Sequence, residues 1–198
     1  MSLIDRVKNI ITTPRTEWPV IESETTTIGN LFTGYAMILA LVPVIGTILF
    51  GLLFEGPFGI RYNMGFLITL AIIGYIVSLG VLYLMGIIAD ALAPTFEGTK
   101  NSVSAMKLLV YSATAAWIAG FFTLINGIGI IIALAGFAWA AFLLYLGSQV
   151  LMKVPQKNAL AYTAVTIVIW IIISFIVNQI VTRIALSAMG GPTAAISF

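Results

Sequence analysis

Four charged side chains lie at the ends of long apolar segments, where they are placed to form ion pairs or hydrogen bonds. They are Glu55, Asp90, Lys107 and Arg183. A charge at the middle of a membrane span would indicate transport chemistry, whereas charges at span ends usually form structural contacts. These residues therefore predict polar contacts at span boundaries. The predicted partners are Lys107, Lys153 or Lys157 for Asp90, and Arg61 or Arg183 for Glu55.

Three tryptophans lie inside the apolar segments instead of at their ends. Trp117, Trp139 and Trp170 are each about ten to twelve residues into a segment, although Trp usually prefers the membrane interface. Three indoles at one depth predict either close packing within a bundle or a midplane pocket for an apolar or lipid-like ligand. Both interpretations stay open at this point.

The residue types needed for most catalysis are absent. The chain has no cysteine and no histidine, which excludes thiol chemistry, imidazole-based triads and the usual zinc sites. Gly127-Ile128-Gly129 lacks the third glycine of a dinucleotide-binding loop. We therefore predict no catalytic, cofactor-binding or metal-binding residues and a non-enzymatic protein. An enzyme acting on lipids through Asp90 stays a third possibility.

The elements that carry these residues are membrane spans. Of 198 residues, 61% are hydrophobic and 8% are charged, against roughly 25% charged in soluble domains. The 45 residues 108–152 carry no charge and would form a helix more than twice as long as the hydrocarbon core of a bilayer is thick. They must fold back, and Asn126 to Gly129 is the expected break. The prediction is an all-α polytopic membrane helical bundle, with transmembrane helices at about 31–54, 66–90, 107–125, 128–150 and 159–186.

Small residues and one proline predict how these helices pack. Ser112, Ala116 and Gly120 recur at every fourth position, as do Gly129 with Ala133 and Gly136 with Ala140. Such stripes let helix backbones approach closely in lipid. Pro43 lacks a backbone donor and leaves the carbonyl of Leu39 without its helical partner, so we expect a kink in the first span.

Residues 1–30 precede the spans and are predicted to form a cytoplasmic amphipathic leader and linker. Ser2 and Asp5 resemble a capping box, and apolar residues follow on one helical face up to Pro14. A short helix on the membrane surface with Trp18 as interfacial anchor is expected; a loosely ordered tail is the alternative. Residues 17–30 are predicted to be a polar linker, and residues 187–198 an external tail.

The basic residues predict the orientation. Seven of the nine lysines and arginines fall in the N-terminal segment and the two even-numbered connections, and two fall on the other side. This bias predicts a cytoplasmic N-terminus and an external C-terminus in a cell membrane, with the bacterial inner membrane as the expected location. Tyr35, Tyr111, Tyr145 and Tyr162 would lie near the cytoplasmic boundary. Nine spread basic residues form no patch, so no nucleic-acid partner is expected.

Several stretches resemble one known family. They are Arg15-Thr16-Glu17-Trp18, Leu109-Val110-Tyr111-Ser112-Ala113-Thr114, Trp117-Ile118-Ala119-Gly120, Tyr145-Leu146-Gly147, Val154-Pro155-Gln156-Lys157-Asn158-Ala159 and Tyr162. Their order is similar to that of bacterial members of the Yip family, five-span membrane proteins named for partners of Ypt/Rab-type GTPases. The resemblance implies a helical, non-enzymatic membrane protein with a cytoplasmic N-terminus. Eukaryotic relatives in this family bear a Gly-Pro-containing motif before their spans, whereas Gly56-Pro57 of this chain follows the first span. A GTPase partner is therefore not carried over.

The functional prediction is a membrane scaffold or adaptor, linked to membrane organisation or trafficking. Its expected partners are the lipid bilayer and either another membrane protein or a second copy of itself. The alternative is a small-molecule or lipid transporter or channel that uses the three tryptophans and the Pro43 kink.

Overall fold

The protein is a helical membrane bundle preceded by two short helices. The structure, a computed structural model, describes residues 1–53, 64–123, 125 and 128–188, without the side chains of residues 52, 66, 67 and 184–188. All regular secondary structure in these ranges is helical. Within the described residues, five helices are long and apolar enough to cross a bilayer: Ile28–Gly51, Ile68–Phe96, Ser102–Gly120, Gly129–Leu151 and Gln156–Arg183. The predicted all-α bundle of five spans is confirmed.

The helices have the following bounds. Helices α1 (Leu3–Thr12) and α2 (Pro14–Ser23) precede the spans. The first span consists of α3 (Ile28–Leu31), a π-helical turn (Phe32–Ala36), α4 (Met37–Leu39) and α5 (Leu41–Leu53). The second is α6 (Met64–Leu92) with a 3₁₀ turn (Ala93–Phe96), and the third is α7 (Ser102–Ser112) with α8 (Thr114–Gly120). The fourth is α9 (Gly129–Leu151) and the fifth is α10 (Gln156–Ala188).

The N-terminal residues are more ordered than the sequence analysis expects. The Ser2 side chain caps α1 by accepting a hydrogen bond from the backbone N–H of Asp5, as the capping box predicts. Pro14 occupies the first turn of α2, where its missing N–H leaves no hydrogen bond unmade. Helix α2 packs against α9. The expected polar linker at residues 17–30 is therefore wrong for its first half, because residues 14–23 form a docked helix.

The third span is the centre of the bundle. Its most apolar window is 67% buried, against 17–33% for the other four spans. Helix α7 contacts α6 and α9, while α8 contacts α5 and α9; α10 completes the bundle by packing on α6 and α9. The third span thus contacts the first, second and fourth.

Residues without bulky side chains bring the third span close to its neighbours. A Cβ at Gly136 of α9 would lie 2.2 Å from the Cβ of Ala119, and one at Gly120 would lie 2.9 Å from the Cβ of Pro43. Glycine is required at both points because any side chain would overlap its neighbour. The first stripe of small residues thus approaches α5 at Gly120, and Gly136 of the second meets Ala119 of α8.

The first span is interrupted close to Pro43, where the kink is predicted. Helix α4 ends at Leu39 and Ala40 forms a turn, so the chain restarts as α5 with Pro43 in its first turn. The reversal between the third and fourth spans falls between Gly120 and Gly129. Asn126 and Gly127, which the predicted break includes, lie outside the described residues.

Candidate functional site

Trp18 is the residue through which α2 is anchored to the bundle. Its side chain is fully buried and lies against Gly147 of α9 and beside Leu108 of α7, because a Cβ at Gly147 would come 2.7 Å from Cζ2 of the indole and 2.6 Å from Cδ1 of Leu108. The sequence analysis expects Trp18 to be an interfacial anchor in the headgroups. That expectation is wrong, since α2 packs on protein and covers the indole.

Arg6 joins α1 to α2 and to the bundle. Its guanidinium donates one hydrogen bond to Glu17 and another to Glu24. The guanidinium carbon also lies 5.5 Å from the ring centroid of Tyr111 on α7, within the range of a cation–π contact. Arg6 and Glu17 are both buried, at 5% and 4% exposure. A buried charge of this kind is tolerated only when it is paired and hydrogen-bonded. The contacts with Glu17, Glu24 and Tyr111 therefore explain how Arg6 can be buried.

Lys107 holds the end of α2. Its ammonium donates hydrogen bonds to the backbone carbonyls of Ile21 at 2.7 Å and Glu24 at 2.5 Å. Carbonyls at a helix C-terminus lack helical donors and carry the negative end of the helix dipole, which favours a cation there. Lys107 is buried and is therefore committed to this docking contact.

Tyrosines extend the docked region into the bundle. The rings of Tyr35 and Tyr111 meet edge to face with centroids 4.7 Å apart, and the hydroxyls of Tyr35 and Thr114 are hydrogen-bonded at 2.9 Å. The hydroxyl of Tyr162 donates to the carbonyl of Ala89 at 2.9 Å. Tyr35, Tyr111 and Tyr162 are buried, so these three of the tyrosines that are predicted near the cytoplasmic boundary form contacts between helices.

Asp90 does not form the predicted boundary pair. Lys153 pairs with Glu22, and Lys157 lies 2.9 Å from Glu97, while Lys107 holds α2 as described. Asp90 is 8% exposed, and its Oδ1 has no hydrogen-bond partner among the residues that the structure describes. The prediction fails because the docked leader, which the sequence analysis left on the membrane surface, brings its own acceptors to Lys107 and Lys153.

Two of the three tryptophans line one cavity. Trp117 of α8 and Trp170 of α10 face a space of about 340 Å³ between α6, α7–α8 and α10. Its polar lining consists of Ser78, Ser174 and Asn178. The apolar lining consists of Leu70, Gly74, Val77, Val81, Leu82, Ala113, Val177 and Val181. That a ligand occupies this space stays a prediction.

The other predicted site residues are elsewhere. Trp139 is 39% exposed on the outside of α9, where its ring meets Phe142 at 5.3 Å, because helix rotation turns it away from the cavity although its depth is similar. Arg183 is exposed near the end of α10. Glu55 and its candidate partner Arg61 lie outside the described residues.

The arrangement supports attachment of α1 and α2 to the bundle more clearly than it supports catalysis. Within the described ranges, no three metal-ligating side chains group together. The buried charges Arg6, Glu17 and Lys107 take part in the contacts of α1 and α2, whereas Asp90 does not. The sequence analysis missed Arg6, Glu17 and Gly147 as parts of a site. One signal was present: Arg6 and Glu17, of opposite charge, both precede Trp18 in a short leader and could pair with each other.

Comparison with known proteins gives one match. The sequence profile of the family described as "Yip1 domain" matches residues 8–178, which include the second half of α1, all of α2, the first four spans and the fifth span as far as Asn178. No curated protein and no solved structure matches the chain.

Proposed function

Since the chain belongs to the Yip1 domain family, and is a multi-pass membrane protein by its five apolar helices, we propose that it is a non-enzymatic membrane scaffold or adaptor. The observation that carries this proposal is the contact of Arg6 with Glu17, Glu24 and Tyr111. It fastens α1 and α2 to the end of the bundle. The two helices form a fixed platform at the membrane, as an adaptor needs for a partner.

The outward side of the platform offers both charge and apolar surface. Ile4 is 76% exposed and Val20 is 40% exposed, and Lys8 and Arg15 are exposed beside them. Exposed apolar residues among charges are typical of the core and rim of a contact surface. Another membrane protein or a second copy of this chain is the partner that we propose, in a role in membrane organisation or trafficking.

The charge bias supports a cytoplasmic position for this platform. Lys100, Lys107, Lys153 and Lys157 share an end of the bundle with α1 and α2, because Lys107 and Lys153 contact α2 directly. By the positive-inside rule, this end faces the cytoplasm and the C-terminus faces outward. We propose the inner membrane of a bacterial cell as the location, and no GTPase partner.

Site-specific crosslinking tests the proposal. A photo-crosslinking amino acid at Ile4 should give one discrete adduct, identified by mass spectrometry as a membrane protein or as this chain. The same group at Ile172, on the membrane-facing side of α10, is the control and should give lipid adducts only. Loss of the Ile4 adduct in Arg6→Ala would show that the docked platform is required. No protein adduct at Ile4, or identical adducts at both positions, would refute the scaffold role.

The cavity favours transport as a second candidate function. A space of about 340 Å³ within the spans, with polar groups on its wall, is of the size that small ligands occupy. Liposomes containing the purified protein would be tested with amino acids, sugars and a fluorescent phospholipid analogue. Flux that is lost in Trp117→Ala and kept in Trp139→Ala, which lies off the cavity, would establish transport. Absence of flux for every solute would reject it.

A further inference from the structure

Asn178 is a polar residue of the fifth span that the scaffold role does not use. It lines the cavity and is exposed, and no hydrogen-bond partner for its amide occurs in the described part of the chain. An amide without a partner is costly at the boundary of the hydrocarbon core, so Asn178 is available to a partner from outside the described residues, such as a lipid.

The depth of Asn178 indicates the chemistry of that partner. Helix α10 begins at Gln156, and Asn178 lies 22 residues further (178 − 156), which is about 33 Å along the helix axis. The hydrocarbon core is about 30 Å thick. Asn178 therefore lies at the edge of the leaflet remote from α1 and α2, where the ester carbonyls of phospholipids are found.

From this edge the cavity extends toward the middle of the membrane. Trp170 lies eight residues before Asn178 on α10 and lines the cavity nearer to the middle of the membrane, as Ala113 does on the third span. Among the described residues, no charged side chain lines the cavity. Its volume of about 340 Å³ is at the lower end of the range that small-molecule sites occupy.

The cavity is accessible from the bilayer on the α6 side. Gly74 and Ser78 line it and are exposed, and no atom lies within 4 Å of a Cβ built at Gly74. A transmembrane helix of a second copy, at least 10 Å in diameter, is too wide for a space of this volume. A single hydrocarbon chain is narrow enough.

We propose that this cavity binds one acyl chain of a phospholipid from the leaflet remote from α1 and α2. The ester carbonyl accepts a hydrogen bond from the Asn178 amide, and the chain lies between α6 and α10 with its inner part against Trp117 and Trp170. The proposal is independent of the scaffold role.

A cavity-filling variant tests the binding. Purified protein in nanodiscs of phosphatidylcholine would be irradiated with a trace of phosphatidylcholine that carries a diazirine in its acyl chain, and adducts would be mapped by mass spectrometry. In the native protein we expect adducts concentrated on Trp117, Trp170 and Val177. Gly74→Leu should reduce them at least fivefold. Gly80→Leu is the matched control, because Gly80 is on the same helix, also has no atom within 4 Å of a built Cβ and does not line the cavity.

A second pair of variants tests the polar anchor. Asn178→Leu should reduce labelling by the phosphatidylcholine probe several-fold and leave labelling by a diazirine-bearing alkane unchanged. Gln179→Leu is the control, since Gln179 is exposed beside Asn178 but does not line the cavity. Equal labelling around the bundle, including Phe142 and Leu160, with no effect of Gly74→Leu would show ordinary surrounding lipid and overturn the proposal. The crosslinks from Ile4 are a separate measurement, so failure of one proposal is distinguishable from failure of the other.

Discussion

The indole of Trp18 lies against the backbone of Gly147, in a space that exists only because position 147 carries no side chain. The contact joins α2 to the fourth span, and it lies beside the Arg6 and Lys107 contacts that hold the same helix. Docking of the N-terminal helices therefore depends on shape as well as on charge.

The Trp18 contact predicts that Gly147→Ala displaces α2. The new Cβ would lie 2.7 Å from the indole and 2.6 Å from Leu108, and overpacking of this kind costs about 1–3 kcal/mol. We expect a lower thermal unfolding midpoint in detergent and faster proteolysis after Arg15. Gly80→Ala, where no atom lies within 4 Å of a built Cβ, should leave both unchanged or raise the midpoint slightly. Equal behaviour of the two variants would contradict the contact.

The buried ion pair predicts an asymmetric mutational response. Arg6→Ala leaves Glu17 buried without its partner, at a cost of about 3–5 kcal/mol, whereas replacing both by apolar residues of similar size is often nearly neutral. Arg6→Met with Glu17→Leu should therefore be more stable than Arg6→Ala. The measurements are the unfolding midpoint and protease sensitivity of residues 1–24. Arg15→Ala, an exposed cation on α2, is the control and should change stability by less than about 0.5 kcal/mol.

Asp90→Asn is expected to leave the unfolding midpoint unchanged, unlike the removal of one partner of a structural ion pair. Its Oδ1 has no partner in the described part of the protein, so Asp90→Asn breaks no salt bridge that the structure shows. We expect the folded protein to keep its helix content and its unfolding midpoint. A midpoint lowered by several degrees, with rescue by Lys107→Met in the same chain, would instead indicate the Asp90–Lys107 pair that the sequence analysis predicts.

The connection between the second and third spans predicts a dependence on pH. Hydrogen bonds from Lys157 and Asn158 hold the pKa of Glu97 below its ordinary value of 4.5. Because the folded pKa is lower than the unfolded one, the contact stabilises the fold above pH 4.5 and is lost as the pH falls through the folded pKa. Hydrogen exchange of residues 96–100, corrected for intrinsic rates, should accelerate between pH 5 and pH 3 (roughly the window of a carboxyl group). In Glu97→Gln this pH dependence should disappear.

The spans could be predicted because their signal is local. An apolar run of about twenty residues has few alternatives to a membrane helix, and Pro43 placed the break of the first span close to Ala40. The depths of Trp117, Trp139 and Trp170 could be counted from their span ends. Which way each indole faces depends on how neighbouring helices pack, and for that reason Trp139 could not be separated from the other two.

The docking of α1 and α2 could not be predicted because the residues that they contact are far away in the sequence. From the sequence, Trp18 is predicted to be an interfacial residue and Lys107 a boundary charge. In the structure, Trp18 packs against Gly147, and Lys107 donates to two carbonyls at the end of α2. Buried charges such as Arg6 are rare enough that the prior expectation is a solvated helix face. Only the tertiary structure shows that both carboxylates reach it.

The third span, at the centre of the bundle, contacts both the docked N-terminal helices and the cavity. Leu108 and Tyr111 on α7 support the N-terminal helices, while Ala113 and Trp117, one or two turns further on, form a wall of the cavity between α6 and α10. A substitution that alters the docking of α1 and α2 can therefore also alter the cavity, and the reverse is also true. A variant made to free the platform must have its lipid occupancy measured again, and a variant made to plug the cavity must have its platform checked.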